Sequence, residues 1–173
     1  MTKNSIAYFG YGANRTLEMM NAIIGRSPKG KPAYLKDYEL VVQKPDQISE
    51  KIRKMIGNHR IPQEVKTFAT YAISPKKGKS VHGTLWYLTK QERELVDNWE
   101  LNDGFWYTKK NVVVMVGDQN IVASTEIIDD PNLWPVSEND KEAPAFLNNE
   151  ARMLEVAEVV RAEFLKDKNL VAH

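Results

Sequence analysis

Ile6-Ala7-Tyr8-Phe9-Gly10-Tyr11-Gly12-Ala13-Asn14-Arg15 is the stretch that decides how this chain is read. It opens with a short apolar run and leads into a helical pattern. Two glycines stand two residues apart at the junction. Glycine lacks a Cβ, so backbone N–H groups there approach a ligand without obstruction. The start of the following helix adds unpaired N–H donors and partial positive charge, which together favour an anion such as a carboxylate. The junction therefore reads as one wall of a small-molecule site, although a plain tight turn at Gly12 would look the same.

A dinucleotide site is the first alternative. Its fingerprint needs a third glycine, where this chain has Arg15, and a ribose-binding acid on the next strand, for which Glu39 is the only candidate. The connecting helix is also short. Nicotinamide and flavin binding are set aside.

Outward from the junction, Ile6 to Phe9 reads as a buried strand. Arg15 to Ile24 reads as a helix, stopped by Gly25 with Pro28 beyond it. Ala33 to Val42 reads as a strand with Tyr34, Tyr38 and Leu40 on one parity. Lys44 to Lys66 is hard to read; a short amphipathic helix from Ser49 to Ile56 fits, as an elaboration of the core. Phe68 to Ile73 and Val81 to Leu88 read as a hairpin across Pro75-Lys76-Lys77-Gly78-Lys79, whose lysines are a solvated tip. Thr89 and Glu92 form a capping box for a helix to about Trp99. Lys110 to Val116 and Ile121 to Ile128 are strands around a Gly117–Asn120 turn, and Asp129 to Ala143 is loop. In the 144–164 stretch Phe146, Met153, Ala157, Val160 and Phe164 mark one face of a long helix. Mostly antiparallel strands with a few helices give an α+β fold. We expect a single domain over 1–173, with a core of about 6–128 and a C-terminal helix of about 144–166.

Composition removes whole classes of function. Of 173 residues, 24 are Lys or Arg and 23 Asp or Glu, so no overall field draws the chain to nucleic acid or membrane. There are no cysteines, hence no disulfide, thiolate nucleophile or Cys-bound metal. His59, His82 and His173 form no metal spacing; His82 reads as a cross-strand surface residue. Serine-hydrolase and P-loop motifs are missing. We expect a soluble, cytoplasmic protein without a signal segment or membrane span.

One carboxylate stands out in Val96-Asp97-Asn98-Trp99-Glu100. Four residues after Val96, Glu100 falls on the buried side if the helix persists to its end. Partial burial disfavours the charged form and makes a better general base near neutral pH. Spacing alone favours the blander alternative, a solvated helix end. Asp97, one turn earlier, reads as exposed or supporting. Phe105-Trp106-Tyr107 begins a strand with alternating faces, so Tyr107 can offer its hydroxyl to a pocket or simply pack.

Taken in order, Tyr8-Phe9-Gly10-Tyr11-Gly12-Ala13-Asn14, Pro28, Ala33-x-Leu35-x-Asp37-Tyr38-x-Leu40, Val81-x-Gly83-x-Leu85-x-x-Leu88, Val96-Asp97-x-x-Glu100 and Tyr107 resemble the γ-glutamylcyclotransferase-like family over roughly residues 6–116. The resemblance implies a small mixed β-barrel-like sheet with flanking helices. It implies release of 5-oxoproline from a γ-glutamyl amine or amino acid, with Glu100 as general base and acid. By the same resemblance Tyr11, Gly12, Ala13, Asn14 and Tyr107 bind the substrate, the amides of Gly12, Ala13 and Asn14 holding its carboxylate or oxyanion. No metal or cofactor is implied, and the partner is a small γ-glutamyl substrate. Oligomeric state stays open. Two positions depart from the family pattern: Ala13 stands for the usual serine and Leu101 for the usual glycine. These leave room for a non-catalytic binder of a small metabolite or a partner. A different acid–base enzyme on this scaffold, one that removes a γ-glutamyl protecting group, is the third reading.

Overall fold

The computed structural model describes residues 5–59, 69–102, 106–128, 130, 132–136 and 150–168. In chain order the elements are β1 (Ile6–Gly10), α1 (Leu17–Ile24), β2 (Gly30–Gln43), α2 (Glu50–His59), β3 (Thr70–Leu88) and α3 (Lys90–Trp99). They continue with β4 (Thr108–Val116), β5 (Gln119–Ile127), β6 (Trp134–Pro135) and α4 (Glu150–Asp167). Among the described residues, strands pair in the order β3-β1-β5-β4-β2, and β2 pairs back onto β3, so the sheet closes into a barrel with β6 on the β2 side. The pairings are antiparallel except at the β1–β5 seam, where Tyr8 lies beside Ser124. This is the α+β barrel-like fold expected from the sequence. No helix among the described residues is long and apolar enough to cross a membrane.

Alternation along the strands produces two cores. Phe9, Leu35, Ile73, Leu85, Val114 and Ala123 point into the barrel and fill it. The intervening residues Tyr8, Trp86 and Leu88 point outward, where α1 (Met19, Met20, Ile23), α3 (Leu95, Val96) and α4 (Ala157) cover them. A third cluster joins α2 to α4 through Ile48, Ile52, Ile56, Val156 and Val160. The described part of the 44–66 elaboration thus includes a helix, Glu50–His59, laid against the C-terminal helix and close to its expected start. Residues Phe68, Gly104, Phe105, Phe146 and His173, and most of the 129–143 loop, lie outside the described residues.

The structure corrects the sequence reading at three places. Arg15–Ile24 is not one helix: Gly12–Arg15 is a 3-10 turn, and α1 begins after Thr16, whose side chain accepts from the Met19 N–H at 3.2 Å. The 68–88 region is not a hairpin. Both of its halves pair with the same strand, from Gly30 opposite Trp86 to Gln43 opposite Thr70, so the chain does not reverse. The Pro-Lys-Lys-Gly segment instead bulges out opposite Asp37, whose φ is 58° and whose carboxylate accepts from the Gly78 N–H at 2.8 Å. That bulge also splits the expected parity of β2. Ahead of it Ala33 and Leu35 face the barrel and Tyr34 is exposed; beyond it Tyr38 and Leu40 turn inward. The bulge lysines are exposed, as read, and His82 lies edge-on to its cross-strand neighbour Tyr34 at 4.6 Å.

Candidate functional site

Where β1 ends, the backbone doubles back on itself. A Cβ on Gly10 would stand 2.3 Å from the Asn14 carbonyl oxygen, so only glycine permits this closure. Gly12 then takes φ 55°, with the Tyr71 ring close behind it. The Trp86 indole N–H donates to the Asn14 carbonyl at 2.8 Å and pins the turn to β3. The Asn14 N–H goes to the Tyr11 carbonyl at 3.1 Å. It therefore leaves the set of backbone donors expected for an anion, and Gly12 and Ala13 remain.

Asn14 contributes its side chain instead. Its amide nitrogen donates to Glu100 Oε1 at 2.6 Å and to the Tyr8 hydroxyl at 2.9 Å. Glu100 sits at the C-terminal end of α3, its N–H bonded to the Val96 carbonyl at 2.9 Å, and it is half-buried rather than solvated. The helix ends in a Schellman turn. Asn102 N–H reaches the Asp97 carbonyl at 3.0 Å, and Leu101 between them has φ 52°.

One cavity of about 90 Å³ is lined by Tyr11, Gly12, Ala13, Asn14, Glu100 and Tyr107, all six residues singled out from the sequence. That volume falls below the about 300–1,000 Å³ of pockets that hold drug-sized ligands, which speaks against a dinucleotide. The two tyrosines present rings, not free hydroxyls. Tyr11 donates to the Glu126 carbonyl at 2.9 Å, and Tyr107 to the Tyr71 carbonyl at 2.7 Å, with Thr70 Oγ1 also 2.7 Å away. Burial pushes the Tyr8, Tyr11 and Tyr107 hydroxyls well above the ordinary tyrosine range, and Glu100 and Glu126 add to it, so all three stay neutral.

Several lining residues carried no functional reading in the sequence. Glu126 is only 2 % exposed and pairs with Arg93 Nη2 at 2.6 Å. Arg93 also lies 3.2 Å from Asp97 and over the Tyr8 ring, 4.7 Å from its centre. Burial would lower the guanidinium, but Glu126, Tyr8 and Asp97 hold it above its usual value. Asp97 pairs with Arg93 and Lys109 and accepts from Asn102, which is the supporting position and not a dyad with Glu100. Ile56, Met153 and Val156, from α2 and α4, form an apolar side together with Trp99 and Trp106. The i, i+4 spacing of Arg93 and Asp97 was a signal for the ion pair; nothing in the sequence linked either to Glu126. Among the described residues no cluster of His, Asp or Glu has the geometry of a metal site.

The sequence profile of the family described as gamma-glutamyl cyclotransferase, AIG2-like, matches residues 8–145. The chain belongs to that family. Among solved structures, one titled gamma-glutamyl cyclotransferase is 18% identical with a TM-score of 0.58, over 92% of this chain and 88% of its own. A solution structure from Arabidopsis thaliana is 17% identical, TM-score 0.56, over 97% and 91%. An uncharacterised protein from Homo sapiens is 17% identical, TM-score 0.57, over 89% of each chain. At these identities the likeness is one of fold. No curated protein sequence matches. Within the cyclotransferase family's pattern, the Schellman turn accounts for the usual glycine after the glutamate. Leu101 occupies that left-handed position here, and its side chain packs against the α2–α4 cluster.

Proposed function

We propose that this chain is a γ-glutamylcyclotransferase that releases 5-oxoproline from a γ-glutamyl amine or γ-glutamyl amino acid. One observation carries the reading: the Glu100 carboxylate shares a cavity with the Gly12–Ala13 turn and is tethered across it by Asn14 at 2.6 Å.

Glu100 takes a proton from the substrate's α-ammonium. The freed amine attacks its own γ-carbonyl carbon, forming the ring C–N bond and a tetrahedral oxyanion. Collapse of that intermediate breaks the bond to the leaving amine; Glu100 passes it the first proton, and the second proton shed by the ring nitrogen follows, so the amine departs as its ammonium. Protons and one acyl group balance the reaction, and no redox partner enters it. Ring closure is intramolecular, so folding the glutamyl chain against Tyr11 and Tyr107 supplies much of the rate. The N–H groups of Gly12 and Ala13 hold the glutamyl carboxylate or the oxyanion, a task that survives the loss of a serine hydroxyl at position 13. The leaving amine lies toward Ile56, Met153 and Val156.

The test is incubation with γ-glutamyl amino acids, γ-glutamyl amines and glutathione, with 5-oxoproline detected by mass spectrometry. Glu100→Gln should lower turnover by at least about 10²–10⁴-fold while leaving substrate binding largely intact. Tight binding with no product from any substrate would assign the cavity to a binding protein instead.

A further inference from the structure

We propose that Arg93 is a positioning residue for Glu100, acting through Tyr8 and Asn14. This rests on the reading of Glu100 as the base. The starting point is a guanidinium only 5 % exposed on the inner face of α3. Burying an ion pair there gains little stability over well-packed apolar side chains, because desolvation offsets the attraction. What the charge does hold is direction. Arg93 Nη2 donates to Glu126 Oε1 at 2.6 Å, and Asp97 Oδ1 lies 3.2 Å from Nη1 as an ion-pair partner. The guanidinium lies on the Tyr8 ring, 4.7 Å from its centre.

Tyr8 is thereby fixed, and its hydroxyl accepts from Asn14 Nδ2 at 2.9 Å. That same nitrogen donates to Glu100 Oε1 at 2.6 Å. A side-chain amide has two N–H donors, and both are used. With the Asn14 carbonyl oxygen of the main chain held by Trp86, the amide cannot swing away from Glu100 without losing its bond to Tyr8. The carboxylate is therefore aimed by a chain of contacts that begins at a charge outside the set of cavity-lining residues. A base that must first accept and then return one proton needs that fixed aim.

Tyr8→Phe tests the middle of the relay. It removes the hydroxyl and leaves the ring under Arg93. Loss of one hydrogen bond predicts about a tenfold fall in kcat, with KM nearly unchanged. Asn14→Ala falls further, and the double variant falls no further than Asn14→Ala alone. A full multiplicative loss in the double variant overturns the relay. Arg93→Lys keeps a charge for Glu126 but loses the flat guanidinium over Tyr8. It should lower kcat several-fold and shift the pH midpoint of kcat in the same direction as Tyr8→Phe; wild-type kcat in folded Arg93→Lys overturns the role of Arg93. Should lysine not fit, Glu126→Gln loosens the guanidinium with the same two outcomes. If the wild type forms no 5-oxoproline, the reaction is wrong and the relay is judged on its own by titrating the ¹³C-labelled Glu100 carboxyl. Its midpoint rises in Asn14→Ala and in Tyr8→Phe, since a donor that favours the charged form is lost or loosened; an unmoved midpoint in both overturns it.

Discussion

The cavity has two walls of different make. The wall formed by the Gly12 turn, β1 and the end of α3 is polar, and its groups are tied by directed bonds: Asn14 to Glu100 and Tyr8, Tyr11 to the Glu126 carbonyl, Trp86 to Asn14. The facing wall, where α2 meets α4, presents the apolar side chains of Ile56, Met153 and Val156, packed in the cluster that joins the two helices. Hydrogen bonds fix angles as well as distances, whereas apolar packing mainly fixes volume. Under the proposed reaction, one wall would keep the reacting groups in a set geometry, and the other would be free to change shape around a different leaving amine.

The largest expected effect breaks the polar wall. Arg93→Met leaves Glu126 buried without its partner and should lower unfolding stability by about 3–5 kcal/mol, measured by urea denaturation. Wild-type stability in that variant would mean that the polar wall does not depend on its ion pair. The next sharpens the apolar wall. Under the proposed reaction, Met153→Ala would remove contacts to the leaving group but none to the reacting atoms. It should raise KM for a substrate with a bulky amine by about tenfold, with kcat within about twofold. A matching fall in kcat would erase the division of labour. The smallest effect lies at the seam between the walls. Leu101 holds a left-handed backbone that glycine adopts without strain, and its side chain packs on the apolar wall. Leu101→Ala loses the packing and keeps the strain, at about 1 kcal/mol. Leu101→Gly should lose less, although it removes more atoms; the order of the two melting temperatures checks this.

The same division decides what was legible in the sequence. The polar wall is local: strand, Gly10-x-Gly12 turn, capping box and Glu100 each leave a mark within a few residues, and the marks matched a family pattern. Glu126 leaves no such mark. Its strand alternates as expected, and by parity it shares a face with Val122, which is 65% exposed. Arg93 of α3 and Asn102 beyond its end both reach the Glu126 carboxylate, and no local pattern reports where such distant partners meet a strand. The misread hairpin has a similar cause. Proline, lysines and glycine give turn chemistry, but whether a chain reverses or merely bulges depends on the partner strand, and here that partner runs straight past both halves. The apolar wall was least legible because α2 and α4 are distant in sequence and meet only in the folded chain.

The parallel seam between β1 and β5, held also by Thr125 Oγ1 to the Phe9 carbonyl at 2.8 Å, closes the barrel with the strand that carries Glu126. During synthesis, Arg93 leaves the ribosome well before that strand does. Until β5 arrives, the guanidinium has Asp97 of its own helix but lacks Glu126, its nearer carboxylate, so entering the core then leaves its charge only partly matched and premature collapse of the first three strands and α3 is discouraged. A nascent chain cut short before residue 126 should stay open and protease-sensitive, and maturation of the site should coincide with barrel closure.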